Sequence, residues 1–156
     1  MDYYTQKAKR MYELHLKGEI CKKVYAAVHI DDKYAVLENG KGRKFKYQLA
    51  GGGVEDGETN QQAIIREIAE ELNINAKLIK SLGNITYESK WKYKEKEFSI
   101  INEAEIFLLE FVSYLSNSKL GLVGEFTDKV KVNYVSEEEM RLNVYEFASG
   151  GIKFEP

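Results

Sequence analysis

Apolar residues at helical spacing define three segments of the chain, and β-prone runs occupy the stretches between them. A first helix is predicted from about residue 3 to 16, where Lys17 and Gly18 supply a basic last turn and a glycine cap. A second helix is predicted over 60–72 and a third over about 137–147. We expect the first helix to serve in packing.

Cap signals and buried positions support the second and third helices. Thr59 and Gln62 have the spacing of a capping box, and so do Ser136 and Glu139. Three apolar residues of the third helix are predicted to share one face: Met140, Val144 and Phe147.

The strand pattern favours an antiparallel arrangement. The runs "KKVYAAVHI" and "KYAVLE" are joined by Asp31-Asp32, and "FKYQLA" follows a turn at "NGKGRK". Further strands are predicted near 76–89, 97–114 and 129–135. Because strands and helices do not alternate regularly, the predicted class is α+β, with helices covering a mixed, largely antiparallel sheet. At 156 residues, 44% of them apolar, the chain is predicted to form a single domain, 1–156.

Composition restricts the partners. The 25 acidic and 23 basic residues nearly cancel, so no overall charge favours nucleic acid or an anionic membrane. No stretch approaches the roughly 20 apolar residues of a membrane span, and the first residues lack a signal-peptide core, so a cytoplasmic protein is expected. The chain has one cysteine, Cys21, and two histidines, His15 and His29, which are too few for a disulfide framework or a zinc site. His29 is expected to be a packed or surface residue. A bound metal would need oxygen ligands.

Three carboxylates lie close together on the predicted 60–72 helix. With Glu67 as the origin and about 100° per residue, Glu71 lies at about +40° and Glu70 at about −60°. Arg66 borders Glu70 and offsets one charge at most. The core side is expected at about 100° to 160°, where three apolar residues fall: Ile65, Ile68 and Leu72.

Glycines just before this helix favour a ligand-binding role for its acidic side. Acidic helix faces are commonly just solvated, but four glycines within residues 51–57 allow bare backbone to approach a ligand. Mg²⁺ prefers such carboxylate oxygens. A Walker-type phosphate loop is excluded because Gly57 is followed by Glu58 and Thr59, where that motif needs Lys and then Ser or Thr.

The spacing of these residues resembles the Nudix box of MutT-like pyrophosphohydrolases. That box reads Gly, five residues, Glu, seven residues, Arg-Glu, an apolar residue, any residue, Glu-Glu, any residue, Gly and an apolar residue. Here it is matched by Gly52, Glu58, Arg66, Glu67, Ile68, Glu70, Glu71, Asn73 and Ile74. Only the final glycine differs, and Asn73 is the next-best residue for a left-handed helix cap.

The resemblance extends beyond the box, over roughly residues 22–147. "YQLAGG" is similar to the family's lead-in, with Ala50 in its proline position, and "KVNYVSEEEM" is similar to its late strand and helix. The family implies an α/β/α sandwich and divalent-metal hydrolysis of a nucleoside diphosphate linked to another group. Mg²⁺ is the expected cofactor, with Mn²⁺ as a substitute.

Residue roles follow from the box positions. The resemblance implies that Glu67 is the first choice for the general base and that Arg66 orients a neighbouring glutamate, with Glu70 also in the catalytic set. The metal ligands it implies are Glu67, Glu70, Glu71, the carbonyl of Gly51, Glu58 at the edge, and an acid from a later loop, Glu125 or Asp128. The alternative for either loop residue is an ordinary surface acid.

A segment of alternating aromatic and basic residues, 87–98, has two interpretations. In the first interpretation, Trp91 and Tyr93 stack on a nucleobase while the neighbouring lysines attract phosphates. In the second, the segment is an exposed hairpin whose edge is protected by the lysines. The second interpretation is favoured.

The sequence thus predicts a Mg²⁺-dependent Nudix hydrolase acting on a small nucleotide derivative, without a membrane or nucleic-acid partner, and a homodimer is compatible with it. One alternative is an inactive ligand-sensing or protein-binding module, which would be expected to lack some of the box acids. Another is an RNA-end pyrophosphohydrolase, for which only the lysines of 90–96 offer a basic groove. The substrate is left open, although the lack of internal proline removes a feature associated with ADP-ribose-cleaving relatives.

Overall fold

A computed structural model describes residues 2–115, 131–149 and 151–156 of the chain. Glu125 and Asp128 lie outside the described residues. The helices within these ranges are α1 (Tyr3–Lys17), α2 (Asn60–Leu72), α3 (Glu137–Asn143) and α4 (Tyr145–Ala148). None of these helices has the length and apolar character needed to cross a membrane.

The described strands form one mixed sheet. They are β1 (Cys21–Ile30), β2 (Lys33–Glu38), β3 (Tyr47–Gln48), β4 (Ala50–Gly53), β5 (Ile74–Tyr93), β6 (Lys96–Tyr114) and β7 (Val132–Val135). The order is β3-β2-β1-β6-β5, with β4 also paired to β1 and β7 to β2. The β1–β6 pair is parallel and the others are antiparallel, which confirms the predicted mixed, largely antiparallel sheet.

Helices cover both faces of this sheet. Ile64, Ile68 and Leu72 of α2 pack on one face against alternate residues of β1. Met140 of α3 and Phe147 of α4 pack on the other face. The α+β class and the layered arrangement are confirmed.

The ends of α2 have the predicted caps, but its buried side is displaced from the predicted one. Thr59 and Gln62 form the capping box, and Asn73 takes the left-handed conformation at φ 59° and ψ 40°. The prediction that Ile65 belongs to the core is wrong, since it is 38% exposed, while Ile64 is fully buried. The buried side of α2 therefore lies nearer its acidic side than predicted, with Ala63, Ile64, Ile68 and Leu72 as its buried residues.

The third predicted helix is interrupted at Val144. This residue is extended (φ −98°, ψ 123°) and forms a parallel bridge with Tyr47, so its backbone pairs with a strand instead of continuing the helix. Its side chain is nevertheless buried with Met140 and Phe147, as predicted.

The first helix packs on the long β5–β6 hairpin. The ring of Tyr4 stacks on Trp91 with centroids 5.8 Å apart, and Tyr12 lies 5.6 Å from Tyr93. Met11 is buried in the same cluster. The packing role expected for α1 therefore rests on aromatic contacts with the hairpin tip.

The left-handed cap gives the first testable prediction. Asn73→Ala should lower the free energy of unfolding by about 1 kcal/mol, because a Cβ-bearing residue without Asn's local hydrogen bonding is strained there. Asn73→Gly is the matched variant and should stay within about 0.5 kcal/mol of the wild type. Urea denaturation of the three proteins measures this, and equal losses in both variants would contradict it.

Candidate active site

The site begins where α2 lies against strand β4. Gly52 pairs with Val24 of β1, and a Cβ atom at Gly52 would lie 2.6 Å from the carboxyl atoms of Glu67. No real Cβ tolerates such a contact, so a side chain at Gly52 would displace the carboxylate. The glycine therefore allows Glu67 to lie directly on the strand.

A second carboxylate contacts the same strand one residue earlier. The amide of Gly51 donates a hydrogen bond to Oε2 of Glu71 at 3.2 Å. A Cβ at Gly51 would overlap the carbonyl oxygen of Val24 and the ring of Tyr25. The glycines thus let β4 pass between β1 and two acidic side chains of α2.

Arg66 joins the acidic residues around it. Its Nε and Nη2 atoms donate to the two carboxylate oxygens of Glu58 at 2.7 and 2.9 Å. Its Nη1 donates to Glu67 at 3.0 Å and to Glu70 at 3.2 Å. Its Nη2 also donates to the carbonyl of Gly53 at 2.9 Å. Arg66 therefore makes the contact that a positioning role requires, and its effect on a reaction stays a prediction.

The pKa values separate the carboxylates into two kinds. Hydrogen bonds from Arg66, and then from the amide of Glu55, lower the pKa of Glu58 to about 2. Burial raises the pKa of Glu67. Burial, assisted by the charges of Glu67 and Glu70, raises the pKa of Glu71 to about 7, against the hydrogen bond from its amide partner. Glu67 and Glu71 are thus acids that a nearby cation would stabilise in their charged form.

The donor set fits a hard divalent cation in its chemistry. Oxygen ligands are the ones Mg²⁺ prefers, and Glu67 and Glu71 line a cavity together with the β4 glycines. Among the described residues, however, no three acidic, His or Cys side chains already converge as a metal site. Glu70 is turned toward Arg66, so it would have to rotate to join the other two.

A cavity of about 410 Å³ opens in front of Glu67 and Glu71. Its floor is the β4 glycines, and its far wall is one face of α1. Lys7 and Arg10 of that helix line it together with Lys23 of β1. Sequence reasoning assigned α1 to packing alone, although its basic residues at i and i+3 were a readable signal.

A second cavity, of about 560 Å³, lies on the sheet face that carries α3 and α4. The hydroxyl groups of Tyr25 and Tyr87 lie 2.9 Å apart in its wall. Oε1 of Glu146 accepts a hydrogen bond from the amide of Leu49 at 2.7 Å, while its Oε2 is buried with no partner in the described part of the chain. Burial raises the pKa of Glu146 to about 7. The sequence analysis missed this residue because a lone Glu beside Phe147 looks like an ordinary surface acid.

The remaining candidates have local partners. Nδ1 of His29 lies 2.7 Å from Oε2 of Glu110 on the neighbouring strand, at a partly buried position. Trp91 and Tyr93 pack on α1, which favours the structural interpretation of the hairpin.

The Gly52 contact gives a second prediction. Gly52→Ala should displace the Glu67 carboxylate and reduce the rise in melting temperature that Mg²⁺ produces. Gly53→Ala is the matched control, because a Cβ there meets nothing within 4 Å. Thermal melts with Mg²⁺ and with chelator compare the three proteins. An equal Mg²⁺ response in Gly52→Ala and Gly53→Ala would contradict the role given to the contact.

Glu146 gives a prediction about pH. Because its folded-state pKa is raised, its protonated form contributes stability that is fully present below the unfolded pKa of about 4.5 and is lost as pH rises through about 7. Glu146→Gln mimics the protonated acid. The variant should match the wild type at pH 4.5 and exceed its free energy of unfolding at pH 8 by up to about 3 kcal/mol. Urea melts at both pH values check this, and a constant difference between the proteins would contradict it.

Comparison with known proteins agrees with the geometry. The family model described as NUDIX domain matches residues 24–151. The chain is 30% identical over 116 residues to an RNA pyrophosphohydrolase of Ruthia magnifica subsp. Calyptogena magnifica, covering 67% of this chain and 63% of that protein. It is 36% identical over 72 residues to Nudix hydrolase 4 of Arabidopsis thaliana, covering 46% of this chain and 30% of that protein.

Among solved structures, a NUDIX hydrolase from Nitrosomonas europaea has a TM-score of 0.53 with 25% identity, covering 80% of this chain and 78% of that chain. The chain spans less than two thirds of the length of either sequence relative. The family match nevertheless covers most of the chain, including the β4 glycines and all of α2. The chain therefore belongs to the NUDIX domain family.

Proposed function

We propose that this chain is a Mg²⁺-dependent hydrolase that cleaves a pyrophosphate bond in a nucleoside diphosphate linked to another group. The observation that carries the proposal is the pair of carboxylates, Glu67 and Glu71, held against bare β4 backbone at the edge of a cavity. Water attack at phosphorus needs charge neutralisation, a positioned nucleophile and a proton acceptor. Half-buried carboxylates beside a cavity would hold the cation that neutralises the phosphate charge, and one of them would accept the proton of the attacking water.

Glu67 and Glu71 would hold the cation, with Glu70 and the Gly51 carbonyl as further ligands. When bound, Mg²⁺, or Mn²⁺ in its place, neutralises phosphate oxygens and lowers the pKa of a water. Glu58 is engaged by Arg66, so we assign it to the edge of this ligand set. An additional ligand from Glu125 stays part of the proposal, with Asp128 as its alternative.

Glu67 is the proposed general base, and Arg66 is the proposed positioning residue. The contact of Arg66 uses Oε1 of Glu67, which leaves Oε2 free of the guanidinium, to hold the cation or to accept a proton. The same guanidinium is anchored by both oxygens of Glu58 and by the Gly53 carbonyl, which restrains where Glu67 lies. Proton transfer depends on such restraint, because misplacement by about 1 Å costs large factors in rate.

We place the nucleoside in the 560 Å³ cavity rather than at Trp91 and Tyr93. Aromatic walls with a few polar groups are typical of small-ligand sites, and Tyr25, Tyr87 and Tyr145 line this one. The two hairpin rings are engaged with α1. The chosen cavity also borders Gln48, which leads through Leu49 into β4.

A second candidate function is pyrophosphate hydrolysis at the 5′ end of RNA, as an RNA-end pyrophosphohydrolase. The observation that favours it is the relative named an RNA pyrophosphohydrolase, at 30% identity. Chromatography of the reaction products tests both functions, with nucleoside triphosphates, sugar nucleotides, dinucleoside polyphosphates and 5′-triphosphorylated RNA as substrates. A 5′-monophosphate product together with pyrophosphate or the phosphorylated partner group is expected with Mg²⁺ or Mn²⁺ and not in excess chelator, and equal turnover in chelator would contradict the proposal.

Glu70→Gln separates a metal site from a solvated acidic face. The change removes a ligand charge but keeps the side chain's shape, so the Mg²⁺-induced rise in melting temperature and the turnover should both fall steeply. In chelator its stability should stay within about 0.5 kcal/mol of the wild type, because the lost pair with Arg66 and the relieved acid repulsion are both small.

The exposed Glu13 of α1 offers the control Glu13→Gln, which removes the same charge away from the site. This variant should respond to Mg²⁺ as the wild type does. If Glu70→Gln matched the wild type in both its Mg²⁺ response and its turnover, Glu70 would be an ordinary solvated acid and not a metal ligand.

A further inference from the structure

We propose that α1 supplies the binding site for the terminal phosphate of the substrate, with Lys7 and Arg10 as its ligands, so that the chain favours substrates ending in a 5′-triphosphate over sugar-linked diphosphates. This rests on the proposed function, since it assigns the far end of the same substrate. A free triphosphate and a triphosphorylated RNA end share the recognised group.

The two basic residues face the carboxylate site across the cavity. Lys7 and Arg10 lie three residues apart on α1 and both line the 410 Å³ cavity whose other walls include Glu67 and Glu71. Lys23 of β1 lines it as well. Glu55 is a third acid of the lining, so three acids lie on the side of α2 and β4, and the basic residues on the side of α1 and β1 number three.

Aromatic packing fixes where this face of α1 lies. Tyr4 stacks on Trp91, and Tyr12 contacts both Tyr93 and Phe98, the latter at 5.3 Å. Met11 of the same helix is buried in this aromatic cluster and is only 4% exposed. Because the helix is held on two turns, the backbone that carries Lys7 and Arg10 is already ordered, and only their side chains remain to be fixed on binding.

Neither basic residue forms an ion pair within the described residues. The Lys7 Nζ lies 5.8 Å from the ring centroid of Trp91. Burial and then the charge of Lys23 lower the pKa of Lys7, whereas Glu67 and Glu71 attract its charge only from a distance. A partly buried ammonium beside a second cation gains from an anionic ligand.

The arrangement selects for charge at the far end of the substrate. A terminal phosphate carries more negative charge than a phosphate esterified to a sugar, and its extra oxygens accept charge-assisted hydrogen bonds. The cavity proposed for the nucleoside lies on the opposite sheet face, so a chain of phosphates bound to both cavities would have to pass β4 to reach α1. A neutral sugar at that end would leave Lys7 and Arg10 without a partner.

Trp91 provides a binding measurement that does not depend on turnover. It is the only tryptophan of the chain, so its fluorescence reports on Lys7 directly. Imidodiphosphate, whose P–N–P link resists hydrolysis, is titrated with Mg²⁺ present. We expect a saturable change in the wild type and a dissociation constant raised about tenfold or more in Lys7→Gln and in Arg10→Gln.

Lys9→Gln is the matched control, because Lys9 is exposed on the same helix and lines neither cavity. It should bind as the wild type does. Unchanged binding in both test variants, or an equal loss in Lys9→Gln, would overturn the proposal. Arg10 is exposed, so Arg10→Gln keeps the test valid even where Lys7→Gln disturbs packing, which circular dichroism reveals.

Kinetics then test the substrate class. With a nucleoside triphosphate and the sugar-linked diphosphate of the same nucleoside, the double variant Lys7→Gln/Arg10→Gln should raise KM for the triphosphate about tenfold or more and leave that for the sugar nucleotide within about twofold. Equal changes for both substrates would overturn the inference. Where the wild type hydrolyses neither, the proposed function fails, and the fluorescence titration decides this inference by itself.

Discussion

The site depends on one close approach, that of the Glu67 carboxylate to the backbone of β4. A Cβ at Gly52 would lie 2.6 Å from its atoms, so this contact exists only because the strand has no side chain there. On the same helix Glu71 accepts a hydrogen bond from the β4 backbone, and Ile65 is 38% exposed. Glu67 and Glu71 are thereby half-buried beside the sheet, and desolvation of the charged carboxylates carries a free-energy cost.

Arg66 offsets part of the repulsion among the acidic residues but does not neutralise all of them. Its guanidinium is committed chiefly to Glu58, whose pKa falls to about 2, so only part of its charge offsets Glu67 and Glu70. Glu71 has no contact with it among the described residues, and its pKa stays raised. A planar guanidinium suits this task better than an ammonium, because one rigid group reaches several carboxylates at fixed angles.

Local signals in the sequence predicted much of this and failed where distant segments meet. Caps at Thr59 and Asn73 depend on backbone conformation within a few residues, so they were predictable. The box spacing named Glu67 and Arg66, which lie 3.0 Å apart, while their roles stay a prediction. The break at Val144 depends on a partner far along the chain, the backbone of Tyr47. The exposure of Ile65 depends on how α2 lies on the sheet, which no local signal predicts. The basic face of α1 was visible, but only aromatic packing on the hairpin brings it to the cavity.

The segment leading into β4 links the two cavities physically. The amide of Leu49 is held by Glu146 from the α4 side, and the amide of Gly51 is held by Glu71 from the α2 side. Both acids are buried enough that each has a pKa of about 7, so the same short segment is restrained by two carboxylates that ionise at cost. Only Ala50 separates the two restrained amides, so the backbone that enters β4 is fixed from both faces of the sheet.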